Sequence, residues 1–184
     1  MIRILDKQVA DKIAAGEVIE RPVSIIKELV ENSIDAGADS IVIEIKKGGK
    51  EYIRVTDNGC GIAAEEAERA FLRHATSKIN TAQDLDAIKT LGFRGEALAS
   101  VCAVTRTELL TKQAENKVGT RLVIHGGEVI SRRPYGCPDG TTLIITDLFY
   151  NTPARLKFMK NDSAESSLIT DFISRMSLAY DDIA

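Results

Sequence analysis

Glu28, Asn32 and Asp35 are spaced i, i+4, i+7, so on a helix they stack a carboxylate, a carboxamide and a second carboxylate along one stripe. Val23, Ile26, Leu29, Val30, Ser33 and Ile34 fall mostly on the other side, the apolar stripe of a helix packed on a sheet. The polar stripe is then free to do chemistry. Further along, Asp57-Asn58-Gly59-Cys60-Gly61-Ile62 closes a predicted strand, and its two glycines let the backbone approach a flat ligand unobstructed. An acid placed there accepts a hydrogen bond from an exocyclic amine, which adenine offers and guanine replaces with a carbonyl oxygen. The stripe and the Gly-rich turn together read as a nucleotide site.

Gly92-Phe93-Arg94-Gly95-Glu96-Ala97-Leu98 puts a second glycine pair at the start of a helix, where free amides and the positive helix end can hold phosphate oxygens. Arg94 adds a cation, and Glu96 is expected to point away from the phosphates. No G-x-x-x-x-G-K-[ST] and no G-x-G-x-x-G occurs, so neither P-loop nor Rossmann phosphate binding applies. Taken singly, E-x-x-x-N is an ordinary wetted helix face and D-x-G-x-G an ordinary strand-closing turn. A G-x-x-G loop also suits a KH-type RNA module, but that reading leaves Glu28, Asn32 and Asp57 without a role.

Positioning these residues takes a definite set of elements. Gln8 to Ala15 reads as a short helix, and Arg21-Pro22 starts a helix that runs to Ala36 and stops at Gly37. Residues 40–46 and 51–56 read as a hairpin turning at Gly48-Gly49-Lys50, with the returning strand ending at Asp57. Residues 63–73 read as a helix, 75–82 as a polar loop, 84–91 as a short helix ending at Gly92, and 96–101 as helix again. Strands follow over 105–111, 120–125, 128–133 and 141–147, with Gly126-Gly127 as a tight turn. Residues 163–180 form an amphipathic helix through Leu168, Ile169, Phe172, Ile173, Met176 and Ala179. The layout is α+β, helices on one side of a mixed sheet, and a long helix so near the last residue suggests a piece cut at a domain boundary.

With 184 residues the chain suits one domain; hydrophobic residues at 44% and charged residues at 28% are too apolar for disorder. A net charge of -3 gives no global pull toward nucleic acid, although Arg132-Arg133 and Arg155/Lys157/Lys160 are local basic spots. Cys60, Cys102 and Cys137 form no C-x-x-C pair, which argues for reduced thiols, and with only two histidines a zinc cluster is implausible. No signal-peptide core and no bilayer-length apolar run is present, so a soluble, intracellular protein is expected.

E-x-x-x-N on a helix, D-x-G-x-G after a strand, G-F-R-G-E-A-L opening a later helix and a threonine pair on a late strand resemble the four motifs of the GHKL (Bergerat-fold) ATPases. That family includes DNA gyrase B subunits, heat-shock chaperones, sensor histidine kinases and MutL proteins. Within it, Ile13-Ala-Ala-Gly-Glu-Val-Ile-Glu-Arg-Pro, Asp57-Asn-Gly-Cys-Gly-Ile, His74-Ala-Thr-Ser-Lys, Gly92-Phe-Arg-Gly-Glu-Ala-Leu and Asp147-Leu-Phe-Tyr-Asn-Thr-Pro-Ala-Arg are similar to the MutL family of DNA mismatch-repair proteins. The blocks keep their order and cover nearly the whole chain.

The resemblance implies a Bergerat-fold two-layer sandwich of helices on a mixed, mostly antiparallel β-sheet. Residues 1–184 are the ATPase domain, with the transducer and C-terminal dimerisation domains beyond this chain. It implies slow, magnesium-dependent ATP hydrolysis: Glu28 deprotonates the attacking water, Asn32 ligates magnesium through its amide oxygen, and Asp57 reads adenine. The implied nucleotide-binding set continues with Asp35, Gly59, Gly61 and Ile62; with Thr76, Ser77 and Lys78 of a lid; and with Gly92, Phe93, Arg94, Gly95, Ala97 and Leu98. Thr141 or Thr142 supports adenine through a water, Thr142 being the first choice. ATP is expected to order the lid and join two N-terminal regions into a dimer, a switch that coordinates mismatch recognition with repair. Implied partners are ATP and ADP, a MutS-like mismatch-recognition protein, a downstream nuclease or helicase, a second copy of the chain, and DNA held mostly by regions outside this piece. No membrane is implied, and the implied location is cytoplasmic, at the nucleoid. Because the family takes a lysine for the terminal phosphate from the following domain, this piece is expected to bind weakly and to hydrolyse slowly or not at all. A type II topoisomerase subunit, a histidine kinase and a degenerate interaction module are the other readings; intact Glu28 and Asn32 argue against the last.

Overall fold

A computed structural model describes Asp6, Ala15, residues 18–73, Ala75 and residues 95–184. Its elements are α1 (Pro22–Asp35), β1 (Ile41–Lys46), β2 (Tyr52–Asp57), α2 (Ala97–Ala103), β3 (Arg106–Lys112), β4 (Gly119–His125), β5 (Glu128–Tyr135), β6 (Gly140–Thr146), α3 (Pro153–Leu156) and α4 (Asp162–Ala179). The helices expected near 8–15 and 84–91, and most of the loop over 75–82, lie outside the described residues.

Pro22 opens α1 at a position where its missing N–H costs nothing. The helix ends as its sequence requires: Gly37 takes φ +73°, its amide bonds the Ile34 carbonyl at 2.9 Å, and the Ala38 amide bonds the Ser33 carbonyl at 3.1 Å. This crossed pair satisfies carbonyls that would otherwise be orphaned, and it turns the chain directly into β1. Pro22, Ile25, Ile26, Leu29, Val30 and Ser33 are buried, which leaves Glu28, Asn32 and Asp35 on the half-exposed flank.

Among the described residues six strands lie in the order β1-β2-β6-β3-β4-β5, and every pairing among them is antiparallel, in line with the mostly antiparallel sheet expected. One face is apolar. Ile53, Val55, Leu109, Leu122, Ile124, Leu143 and Ile145 point from it into a core closed by α1, α2 and α4, giving the two-layer α+β sandwich. Strand alternation leaves the opposite face to cross-strand pairs such as Arg54 with Glu44 at 2.6 Å and a two-pronged contact of Arg121 with Glu108. β5 is an edge strand, exposed throughout, and it carries the Arg132-Arg133 spot.

Two helices seat on the β1–β2 turn. Gly48 and Gly49 adopt φ +65° and +81°; a Cβ on the first would stand 2.7 Å from the Asp162 carbonyl oxygen, and one on the second 2.7 Å from Pro22 Cβ. The turn thus accepts the start of α4 on one side and the start of α1 on the other. Asn161 caps α4 by accepting the Ala164 amide at 2.8 Å, and Glu165 answers by accepting the Lys160 amide at 2.9 Å. Ile169 is buried, and Phe172, Ile173 and Met176 pack half-buried against the core, in line with the expected apolar face.

Residues 63–73 differ from the continuous helix expected. They form turns followed by a 3-10 segment at Arg69–Phe71, with amides reaching carbonyls three and four residues back by turns. Arg132 of β5 ties down this segment, its guanidinium donating at 2.7 Å to the Ala64 carbonyl, which also lies 3.4 Å from the Ala67 amide. Among the described residues no helix is long and apolar enough to cross a membrane.

Candidate functional site

The sheet's inner face changes character at one end. Asp57, Thr141, Thr111 and Thr120 are directly opposed across β2, β6, β3 and β4. They form a polar row beyond the apolar rows of Val55, Leu143, Leu109 and Leu122. A buried polar row is costly unless its groups are paired, and Asp57, Thr111 and Thr141 are.

Asp57 is 9% exposed. Its Oδ1 accepts the backbone amides of Gly59 at 3.0 Å and Thr141 at 3.2 Å, and its Oδ2 accepts the Ser33 hydroxyl of α1 at 2.8 Å. Three donors fill three of about four acceptor positions on a carboxylate, so one place on Oδ2 remains for a ligand. Thr111 Oγ1 accepts the Ile62 amide at 2.8 Å and lies 3.1 Å from both the Gly140 carbonyl oxygen and Thr141 Oγ1. The loop after β2 is thereby tied to β3 and β6.

Glycines make this corner close-packed. A Cβ on Gly59 would stand 2.8 Å from Ala36 Cβ, and the Cys60 amide bonds the Ala36 carbonyl at 3.0 Å, so the motif loop lies on the end of α1. Gly61 (φ +68°) abuts the Lys112 carbonyl, and Gly140 (φ +99°) abuts the Asp57 carbonyl; neither place admits a side chain. Asn58 serves the scaffold. Its Oδ1 accepts the Asp39 and Ser40 amides at 3.1 and 3.0 Å, which pins the segment between α1 and β1.

The sequence-predicted residues divide clearly. Asp57, Gly59, Gly61, Ile62 and Thr141 meet in this corner. Glu28, Asn32 and Asp35 lie on α1, which passes the corner at Ser33; Asn32 and Glu28 are about 1.5 and 7.5 Å earlier along the helix axis at 1.5 Å per residue. Thr142, the first choice on sequence, pairs with Thr56, and its hydroxyl donates to Thr56 Oγ1 at 3.1 Å on the outer face. Thr141 has the place beside Asp57. Gly95 takes φ +60° against the Ala75 backbone, and Ala97 and Leu98 open α2 half-buried. Thr76, Ser77, Lys78, Gly92, Phe93 and Arg94 lie outside the described residues.

Two contributors were missed in the sequence. Ser33 was assigned to the apolar stripe, although a serine amid Ile, Leu and Val at a buried helical position is itself a signal. Thr111 gives no local signal, since its role depends on β3 lying beside β6. Among the described residues no group of three or more His, Cys, Asp or Glu could hold a metal. The amide oxygen of Asn32 is a hard neutral ligand that suits magnesium only when phosphates and water complete the shell.

A family model described as histidine kinase-, DNA gyrase B-, and HSP90-like ATPase matches residues 20–129. The chain is 55% identical over 183 residues to the DNA mismatch repair protein MutL of Agathobacter rectalis, covering 100% of this chain and 28% of that protein. It is 51% identical to that of Symbiobacterium thermophilum, covering 100% of this chain and 29% of that protein. Among solved structures, the Aquifex aeolicus MutL ATPase domain complexed with ADP superposes with a TM-score of 0.75 at 33% identity, covering 90% of this chain and 58% of that one. The chain therefore spans under a third of the length of these curated relatives.

Proposed function

The chain belongs to the histidine kinase-, DNA gyrase B- and HSP90-like ATPase family, and from that premise we propose that it is the ATP-binding and ATP-hydrolysing part of a MutL-type mismatch-repair protein. The observation that carries the nucleotide reading is Asp57: a carboxylate 9% exposed, fixed by three donors, with an acceptor position left on Oδ2. That position takes the exocyclic amine of adenine. Gly59, Gly61 and Gly140 let the motif loop, β3 and β6 close up around that position, Ile62 packs beside the base, and Thr141 offers its hydroxyl next to Asp57.

Along α1 the chemistry follows the helix. Asn32 would hold magnesium through its amide oxygen, Asp35 would join the nucleotide-binding set, and Glu28 would take the proton of the attacking water on a carboxylate oxygen. Magnesium, when bound, neutralises phosphate charge and holds the phosphate oxygens. The start of α2 at Gly95, Ala97 and Leu98, with Gly92, Phe93 and Arg94 before it in sequence, would supply the phosphate contacts. By the family resemblance, Thr76, Ser77 and Lys78 would be the lid residues that contact the phosphates. Because Asn32 is one neutral ligand, magnesium binds poorly until nucleotide is present.

In the whole protein, nucleotide-driven closure and pairing of two N-terminal regions would act as the switch between mismatch recognition by a MutS-like partner and the repair nuclease or helicase downstream. DNA contact falls mostly to regions beyond this piece, and the setting is the cytoplasm, at the nucleoid. The reading is tested by titrating the chain calorimetrically with ATP and with GTP, each with and without magnesium. ATP should bind in preference and magnesium should strengthen it. Equal affinity for both nucleotides would remove the proposal.

A further inference from the structure

Thr111 is 1% exposed, and its single hydroxyl has three neighbours: the Ile62 amide at 2.8 Å, the Gly140 carbonyl oxygen at 3.1 Å and Thr141 Oγ1 at 3.1 Å. A hydroxyl carries one proton and two lone pairs. The Ile62 amide can only donate, so it occupies a lone pair. The Gly140 carbonyl can only accept, so it takes the proton. What remains toward Thr141 is a lone pair, and the Thr141 proton must point back to it. The outward face of the Thr141 hydroxyl is then an acceptor.

The other polar groups of the corner are committed in the same sense. Ser33 has one proton, directed between Asp57 Oδ2 at 2.8 Å and the Leu29 carbonyl at 3.1 Å. The amides of Gly59 and Thr141 are both spent on Asp57 Oδ1. We propose that Thr111 is a specificity-determining positioning residue: by holding the Thr141 proton it leaves a pocket floor of two acceptors, Asp57 and Thr141, with no hydroxyl donor. Such a floor takes the amine edge of adenine, directly or through a bridging water, and turns away the carbonyl edge of guanine or hypoxanthine. The inference rests on the adenine reading above and adds a second gate to it. With Asp57 alone, a purine carbonyl would be opposed by the carboxylate, but a free Thr141 hydroxyl could rotate to donate to it and recover part of the loss. Thr111 prevents that rotation, because turning the Thr141 proton outward breaks its bond to Thr111.

The test is calorimetric titration of ADP and inosine 5′-diphosphate, which differ at the edge in question, against the wild type and the variants Thr111→Val, Thr111→Ser, Thr141→Val and the Thr111→Val/Thr141→Val double. The wild type should prefer ADP. Thr111→Val keeps the shape and removes the bond; the preference should fall about five- to tenfold, the worth of one neutral hydrogen bond. Thr111→Ser keeps the hydroxyl and should keep the preference. Thr141→Val should lower the preference similarly, and Thr111→Val should add nothing in that background. If circular dichroism finds Thr111→Val unfolded, Thr111→Ala poses the same question. Equal weakening of both ligands with an unchanged ratio would make Thr111 a scaffold residue and overturn the inference. A wild type that binds the two ligands alike would instead overturn the adenine reading beneath it, so the two failures are distinguishable.

Discussion

Asp57→Asn is a sharp perturbation because the structure dictates which way the new amide must face. Oδ1 accepts two backbone amides, from Gly59 at 3.0 Å and Thr141 at 3.2 Å, so the asparagine has to put its oxygen there. Its NH2 then occupies the Oδ2 position. The fold tolerates this, since Ser33 can accept from the new amide and turn its own proton to the Leu29 carbonyl at 3.1 Å. Adenine does not tolerate it, because its exocyclic amine now meets a donor. A charge-assisted bond worth about 1.5–3 kcal/mol is lost, which at 1.4 kcal/mol per decade lowers ADP affinity by about 10- to 100-fold. The guanine carbonyl meets a donor where it previously met a carboxylate, so GDP affinity should hold or rise. Isothermal titration with ADP and GDP on both proteins, after circular dichroism has established that the variant is folded, measures the two affinities. Wild-type affinity of the variant for ADP, or equal loss of ADP and GDP, would refute the assignment of Asp57 as the base-reading group.

Glu28→Ala should abolish ATP turnover in a phosphate-release assay while leaving ATP affinity within about threefold, because it removes a proton acceptor and not a nucleotide contact; hydrolysis at the parent rate would exclude Glu28 as the base. Gly140→Ala forces φ +99° on an alanine and drives its Cβ into the Asp57 carbonyl, so it should cost more than about 2 kcal/mol in urea unfolding and abolish ADP binding; unchanged stability would contradict the close packing at the β6 start. The three thiols should separate by burial. Cys102 is buried, and burial pushes its pKa up to about 12 against a weaker opposing pull from its Thr107 hydrogen bond, so at pH 8 only about one molecule in 10,000 carries the thiolate. Cys60, exposed between the two glycines of the base motif, should label first under a thiol reagent, and ADP should protect it. Mass spectrometry gives the order, and native-state labelling of Cys102 as fast as Cys60 would refute it.

What the sequence exposed was whatever a few neighbouring residues decide. The stop of α1 at Gly37, the turn at Gly48-Gly49 and the strand ending at Asp57 all follow from local backbone requirements, and each appears where those requirements put it. The 63–73 segment follows turns rather than the helix its own periodicity suggests, and it is held by a guanidinium from β5, more than sixty residues away, that no local pattern reveals. The same limit governs the site. Thr141 and Thr142 are equivalent as sequence, yet a strand sends neighbouring side chains to opposite faces, so only the register of β6 on β2 separates them. That register opposes Thr141 to Asp57 and Thr142 to Thr56. Gly140 helps fix it, because it brings its Cα against the Asp57 carbonyl where any other residue would be pushed away. A one-residue slip would exchange the faces, put Thr142 beside the carboxylate and remove Thr141 from Thr111. On the proposed reading, recognition of the base would thus rest on a glycine packed against the Asp57 backbone, since it helps decide which hydroxyl stands beside the carboxylate.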